Sequence, residues 1–201
     1  MNGAVISNAM VGAWYLLIGD ERAQQYFDLS PEGALSSFTG LLLSLPILFF
    51  SSTAALRLAT SSDHFPIEIP FGPFITAEML GTVIYWAVFL FAMAPITRAL
   101  GLAQAYTPYL ITFNWGVLFT NAVFALPLVP YSLGLYSDGA ALFLMLPALA
   151  VLFVYHWRIA REVLGAEQGP AIAIVIFAAL LSFSIDQIVG FLILPAGGVG
   201  G

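Results

Sequence analysis

The chain has 201 residues, of which 61% are hydrophobic and only 8% are charged, and its formal net charge is −6. Soluble domains usually carry about 25% charged residues, so the composition excludes an ordinary water-soluble protein and predicts a surface covered by lipid. The absence of cysteine excludes disulfides, thiolate metal sites, iron–sulfur clusters and cysteine nucleophiles. The negative net charge argues against nucleic acid as a partner.

The N-terminal segment, residues 1–19, is apolar but carries several polar side chains and is short for a membrane crossing. It is expected to form a helix that lies in the membrane interface, packs against the bundle or re-enters the membrane. A polar turn follows at residues 20–22. The sequence Ser30-Pro31-Glu32 then predicts a helix start, because serine caps helices, proline suits the first turn and an acidic side chain favours the positive end of the helix dipole.

Five apolar segments are each long enough to cross a bilayer as a helix, which needs about 20 residues. Because only helices and closed barrels satisfy their backbone hydrogen bonds inside lipid, the long apolar segments predict an all-α fold. We expect a polytopic integral membrane helical bundle that forms a single transmembrane domain over residues 1–201. The predicted spans are about 35–56, 74–96, 108–129, 139–157 and 170–194. Pro46 lies inside the first span and is expected to kink it.

The placement of the arginines predicts the orientation, because cytoplasmic loops carry an excess of basic residues. With five spans and a cytoplasmic N-terminus, Arg22, Arg98, Arg158 and Arg161 lie inside and Arg57 lies outside. The opposite orientation would place one arginine inside and four outside. We therefore expect the N-terminus in the cytoplasm and the C-terminus on the outer side. All five basic residues are arginine and lysine is absent, which is typical of a GC-rich bacterial genome, so we expect a bacterial inner-membrane protein with a periplasmic C-terminus. If the N-terminal segment also crosses the membrane, its own end moves outside while the other spans keep their orientation.

Two acidic side chains fall inside predicted spans, where an ionisable group costs about 2.5–3.5 kcal/mol at the helix centre. Asp186 lies well inside the fifth span and is followed by Gln187, and Ser182 lies one turn earlier on the same helix face. Glu78 lies about one turn into the second span. One interpretation is a protonatable pair that lines a cavity open to the outside. The structural alternative is that Asp186 links its helix to a neighbour and that Glu78 pairs with Arg57.

Two asparagines in the third span form a second polar feature. Asn114 and Asn121 are seven residues apart and share a helix face, and Thr120 lies near that face. Polar side chains at helical spacing in a span usually hold helices together, with roughly 0.6–2 kcal/mol per hydrogen bond. The alternative interpretation is a polar track that leads to Asp186.

The sequence predicts no metal and no cofactor. Asp63 and His64 lie in an outer loop with Glu68 as the nearest further ligand, whereas His156 is predicted at the opposite membrane face. The sequence from His156 to Arg158 indicates an interfacial anchor. Motifs for serine hydrolases, zinc proteases, phosphate-binding loops and dinucleotide binding are absent from the sequence, so we expect a protein that is not an enzyme.

The chain resembles a known family in its number of spans, its predicted orientation and two short motifs. The sequence Phe71-Gly72-Pro73-Phe74-Ile75 is similar to the aromatic-Gly-Pro-Phe motif of Yip1-type membrane proteins, and Tyr131-Ser132-Leu133 is similar to their Gly-Tyr-Ser-Leu motif. The first motif precedes all spans in that family, but here it follows one span. Asp28-Leu29-Ser30-Pro31-Glu32-Gly33 also resembles the opening of small uncharacterised alphaproteobacterial membrane proteins. The resemblance implies a non-enzymatic protein that acts through partners or lipid.

Two hypotheses for function follow. The first is a non-enzymatic accessory, scaffold or assembly factor that binds membrane lipid and a membrane-protein partner or further copies of itself. The second is a small proton- or ion-coupled transporter or channel, in which Glu78, Asn114, Asn121 and Asp186 converge around a polar cavity in the outer half of the membrane. A bundle this small would be expected to work as a homo-oligomer if it transports.

Overall fold

The computed structural model describes residues 3–60 and 69–194, and this part of the chain consists of helices and their connections, with no β-strand. The helices are α1 (Gly3–Ile18), α2 (Pro31–Ser37), α3 (Thr39–Thr60), α4 (Phe71–Ala99), α5 (Tyr106–Ser132), α6 (Asp138–Arg158) and α7 (Gln168–Ile193). Short 3₁₀ turns occupy Ala23–Tyr26 and Ala103–Ala105, and a π-helical turn at Ile159–Val163 extends α6. The predicted all-α fold is therefore confirmed for the described residues.

Five helical segments are long and apolar enough to cross a membrane: Pro31–Leu58, Phe71–Ala99, Ala103–Ser132, Asp138–Val163 and Gln168–Ile193. Each predicted span coincides with one of these segments. The first segment is not one continuous α-helix, since α2 ends at Ser37 and α3 begins at Thr39. α3 then continues through Pro46. The predicted helix start at Ser30 is confirmed, because Ser30 Oγ accepts a hydrogen bond of 3.0 Å from the Gly33 N–H.

Helix α5 is the centre of the bundle. Half of its span is buried inside the protein, against 17–28% for the other four spans. α3 and α6 pack along α5, whereas α4 packs mainly on α7. The bundle therefore divides into two units, which we call the α5 unit (α3, α5 and α6) and the α4–α7 pair. These units contact each other less extensively, through α3–α4, α6–α7 and α4–α5.

Glycines allow the helices of the α5 unit to approach closely. Gly40 of α3 lies against the backbone of α5, where a Cβ atom would be 2.5 Å from the Asn114 carbonyl oxygen. Gly116 of α5 faces the ring of Tyr155 on α6, which leaves no room for a side chain. Such small residues are typical of helix interfaces in lipid, where apolar burial alone gives little driving force between helices.

The N-terminal helix α1 packs against α5 and α6. Its packed face has small side chains, since Ala9, Gly12 and Ala13 are buried, and the ring of Phe27 lies directly against Gly12. The opposite face carries exposed apolar side chains, including Trp14. Of the placements predicted for this segment, the structure has the one in which the helix packs against the bundle.

The basic side chains divide unequally between the two ends of the bundle. At one end, Arg158 forms an ion pair with Glu162, and Gln24 Nε2 donates a hydrogen bond of 2.8 Å to the Glu162 carbonyl oxygen. This bond brings the connection after α1 to the same end as the end of α6. The arginines at this end are Arg22, Arg98, Arg158 and Arg161, and Arg57 lies at the opposite end, near the end of α3.

The packing at Gly40 can be tested by adding one methyl group. We expect Gly40→Ala to lower the free energy of unfolding by about 1–3 kcal/mol, because the added Cβ must displace the backbone of α5. Gly190→Ala is the matched control, since its Cβ would come no closer than 3.9 Å to Leu194 and alanine is the better helix former. Unfolding in mixed detergent micelles measures both variants. Equal stability of the Gly40 variant and the wild type would contradict the close packing.

The connection between α1 and α2 contains a local ion pair that makes the pH dependence of Asp20 testable. Arg22 Nη2 lies 2.7 Å from Asp20 Oδ2, and the hydrogen bonds from the Arg22 side chain and backbone N–H lower the pKa of Asp20 from 3.8 to about 2. Because folding lowers this pKa, the carboxylate stabilises the folded state above pH 3.8, and the contribution is lost as the pH falls through about 2. We expect Arg22→Gln to return the pKa of Asp20 towards 3.8. Carbon-13 NMR of labelled aspartate measures it, with Glu21→Gln as the control that leaves it unchanged.

Candidate functional site

A cavity of about 380 Å³ lies between the α5 unit and the α4–α7 pair, and we call it the central cavity. Most of its wall is apolar, with aromatic side chains from all four helices α4 to α7. The polar side chains in the wall are Thr82, Tyr85, Trp86, Thr120, Asn121, His156, Ser182 and Asp186. The central cavity thus brings together three members of the predicted polar cluster, Asn121, Ser182 and Asp186.

Asp186 lies at the end of the central cavity where α7 packs against α4. Ser182 donates a hydrogen bond of 3.4 Å from its Oγ to Asp186 Oδ2, in keeping with their spacing of one turn. Gly81 of α4 faces the carboxylate, and a Cβ atom at that glycine would lie 3.3 Å from Asp186 Oδ1. Asp186 and Gln187 are both exposed at the protein surface, but Gln187 does not line the cavity.

A second cavity of about 270 Å³, the side cavity, lies between α3, α4, α5 and α6. Glu78 lines it, and Glu78 Oε2 accepts a hydrogen bond of 3.5 Å from Ser52 Oγ. Asn121 and Leu152 line both cavities, so the side cavity adjoins the central cavity at these residues. The two acidic side chains and Asn121 therefore surround two neighbouring spaces.

The ion pair between Glu78 and Arg57, considered above as the structural alternative, is not what the structure has. Arg57 Nη1 donates a hydrogen bond of 3.3 Å to the Ser132 carbonyl oxygen, and its guanidinium lies 5.4 Å from the centroid of the Tyr131 ring. The physical reason is the length of α4, which begins at Phe71. Glu78 consequently lies two turns inside the helix, at the level of Ser52 rather than at the level of the helix end.

Two buried polar groups in the cavity walls have no hydrogen-bond partner within residues 3–60 and 69–194. They are Ser51 Oγ and Asn121 Nδ2. Ser51 is only 6% exposed and lines the side cavity. Buried polar groups are normally hydrogen-bonded, and a water molecule in a cavity needs roughly two to four polar partners. With Glu78 and Ser52 in the same wall, the side cavity offers enough partners to hold water beside the carboxylate.

Asn114 lies outside both cavities and links three helices. Its Oδ1 accepts a hydrogen bond of 2.9 Å from Trp86 Nε1 on α4, and its Nδ2 donates one of 2.9 Å to Ser37 Oγ at the end of α2. The side chain is completely buried. The sequence left two interpretations of the asparagine pair, helix linking and a polar track. Asn114 links helices, whereas Asn121 lies in the cavity walls. The predicted convergence of Glu78, Asn114, Asn121 and Asp186 is therefore incomplete.

His156 lines the central cavity, although the sequence indicated an anchor at the membrane interface. Its Nδ1 donates a hydrogen bond of 2.9 Å to the Leu152 carbonyl oxygen, which can only accept, so Nε2 of the neutral ring carries no proton. The ring packs edge-on against Phe113, with 5.7 Å between centroids. Helical spacing is the signal that identifies this position: Leu149, Leu152, Phe153 and His156 recur at i, i+3, i+4 and i+7, and all four line the cavity.

The charge in the cavity walls is acidic. Asp186 is the only Asp, Glu, Lys or Arg side chain in the described wall of the central cavity, and Glu78 is the only one in that of the side cavity. In the part of the chain that the structure describes, no group of three or more His, Asp or Glu side chains could hold a metal ion. Asp63, His64 and Glu68 lie outside the described residues. Any negative charge that the described wall side chains contribute therefore comes from one carboxyl group in each cavity.

Comparisons with protein families, curated proteins and solved structures give no match to this chain. The resemblance to Yip1-type membrane proteins stays a prediction from the sequence.

The different surroundings of the two asparagines can be tested by the same deletion at each position. We expect Asn114→Ala to lower the free energy of unfolding by about 1–3 kcal/mol, because it removes two hydrogen bonds of a completely buried side chain and leaves the indole N–H of Trp86 without that acceptor. Asn121→Ala should have a much smaller effect, since Asn121 Nδ2 makes no hydrogen bond within the described chain. Unfolding in mixed micelles measures both. If Asn121→Ala lowered the free energy of unfolding as much as Asn114→Ala, the assignment of Asn114 to helix linking and of Asn121 to the cavity walls would be contradicted.

Proposed function

We propose that the chain is an integral membrane protein of the bacterial inner membrane, with its N-terminus in the cytoplasm and its C-terminus in the periplasm. Five helices of sufficient length and apolarity support the membrane placement. The orientation is supported by the four arginines at one end of the bundle against Arg57 at the other, because basic residues are enriched on the cytoplasmic side.

In this placement the chain is a small proton- or ion-coupled transporter. One observation carries this function: Asp186 and Glu78 line adjoining cavities between the helices, and Asn121 lines both. An ionisable side chain within a membrane is costly, and it usually marks a pathway for ions or protons. Ser51 and Ser52 in the wall of the side cavity supply hydroxyl oxygens that replace part of the water around an entering cation.

The arrangement of the helices supports transport rather than a static site. The central cavity lies between the α5 unit and the α4–α7 pair, and transporters commonly bind their cargo between helix units that move against each other. Among the described residues, three side-chain hydrogen bonds join the units: Ser52 to Glu78, Trp86 to Asn114, and Tyr106 Oη to the Leu90 carbonyl oxygen. A proton or cation at Glu78 changes the first of these bonds, and this change couples occupancy of the site to the contact between the units.

The first hypothesis from the sequence, a non-enzymatic accessory, scaffold or assembly factor, stays a prediction. It requires a lipid or membrane-protein partner that remains bound, and native mass spectrometry of the protein extracted gently from its own membrane detects such a partner. A stoichiometric protein partner would favour the accessory role, whereas a homo-oligomer alone would favour transport.

Neutralising one carboxylate tests the transport function. We expect Asp186→Asn to reduce proton or sodium-ion flux into reconstituted vesicles roughly tenfold or more, because a lost interaction of about 1.4 kcal/mol already changes binding tenfold. Glu167→Gln removes an acidic side chain that is exposed outside both cavities and is the matched control. Flux is followed with a pH-sensitive dye inside the vesicles and with labelled sodium. A folded Asp186→Asn protein with unchanged flux would rule out this function.

A further inference from the structure

We propose that the central cavity binds organic cations that carry a large apolar body, with the positive centre paired to Asp186 and the apolar body against the aromatic walls. The proposal rests on the proposed function, because it names the class of cargo for the same site. It is carried by the charge, the wall chemistry, the size and the opening of the central cavity.

The acidic side chain in the wall favours a positively charged ligand. Asp186 is the only Asp, Glu, Lys or Arg side chain in the described wall, and its carboxylate accepts one hydrogen bond, a weak one of 3.4 Å from Ser182. No ion pair with Asp186 occurs among residues 3–60 and 69–194. An acidic side chain in apolar surroundings is normally paired or neutral. A cationic ligand supplies the charge that the protein itself does not place there.

The aromatic side chains make the cavity suitable for a bulky cation. Rings stand on each side of the central cavity: Tyr85, Trp86, Phe113, Phe153 and Phe183. The face of an aromatic ring attracts a positive charge within about 6 Å, and the attraction is strongest when water is excluded. The same rings cover apolar groups of a ligand. An inorganic ion would use the carboxylate but not the rings, so the walls favour an organic cation.

The size and the opening of the cavity agree with this class of ligand. A volume of about 380 Å³ falls within the roughly 300–1,000 Å³ that small-molecule sites usually have. Its exposed lining residues lie on α6 and α7: Leu149 and Phe153 are 40% and 38% exposed, and Phe183 is 64% exposed. The opening therefore lies between these two helices, on a surface that faces lipid in the proposed membrane placement. A ligand with an apolar body reaches this opening from the bilayer.

Binding of tetraphenylphosphonium to the purified full chain in detergent tests the proposal, measured by equilibrium dialysis. Asp186→Asn should weaken binding about tenfold or more, which corresponds to the loss of about 1.4 kcal/mol. Asp186→Glu keeps the carboxylate and should retain binding. It therefore shows whether a change of side chain at this position disturbs the fold, independently of the loss of charge. Phe183→Ala should also weaken binding. Phe191→Ala is its matched control, because Phe191 is an exposed phenylalanine of α7 that does not line the cavity.

The neutral compound triphenylphosphine oxide distinguishes recognition of the positive charge from binding through apolar contacts with the cavity walls alone. Binding of the neutral compound as tight as that of tetraphenylphosphonium, or equal binding by the wild type and Asp186→Asn, would overturn the proposal. Tetraphenylphosphonium binding without any flux in vesicles would uphold the cation site and refute transport. Asp186-dependent proton flux without tetraphenylphosphonium binding would refute the organic-cation site and leave transport intact.

Discussion

The approach of α3 to the backbone of α5 at Gly40 determines where both polar networks of the bundle form. Gly40 lies against the Asn114 carbonyl oxygen, and the side chain of Asn114 joins Ser37 and Trp86. Two turns farther along the same helix, Asn121 faces the cavities. Apolar surfaces covered by lipid give little preference for one helix register over another. Close backbone contact and a few buried hydrogen bonds therefore fix the register of α5 and, with it, the position of Asn121.

The division of the bundle into two units also divides its polar chemistry. The α4–α7 pair carries both carboxylates, Glu78 and Asp186, whereas the amide of Asn121 and the imidazole of His156 belong to the α5 unit, and both units contribute hydroxyl groups to the cavity walls. The bond between Ser52 and Glu78 crosses from one unit to the other, but the bond between Ser182 and Asp186 lies within α7. A relative movement of the units would therefore change the partners of Glu78 and leave the hydrogen bond of Asp186 intact. In the proposed transporter, this difference assigns coupling to Glu78 and cargo binding to Asp186.

The sequence predicts the helices well because hydropathy over some twenty residues is a strong signal, and it predicts the pair Ser182 and Asp186 because their spacing is local. It does not distinguish Asn114 from Asn121, since seven residues of separation place both on one face and only the neighbouring helices differ. It also misses Ser52 as the partner of Glu78, because that contact depends on how α3 and α4 are aligned. The interfacial interpretation of His156 rests on its neighbours Trp157 and Arg158, whereas the helix face that it shares with Leu149, Leu152 and Phe153 lines the central cavity.

For the proposed organic-cation site, the position of Asp186 beside Phe183 sets two demands that one ligand meets together. Both side chains line the central cavity and both are exposed near its opening on α7. A lipid chain would cover the phenylalanine but leave the carboxylate without a positive partner in apolar surroundings, which is costly. An inorganic cation would neutralise the carboxylate but leave the aromatic wall uncovered. A cation with an apolar body satisfies both side chains at once, and entry from the bilayer allows it to arrive already without most of its water.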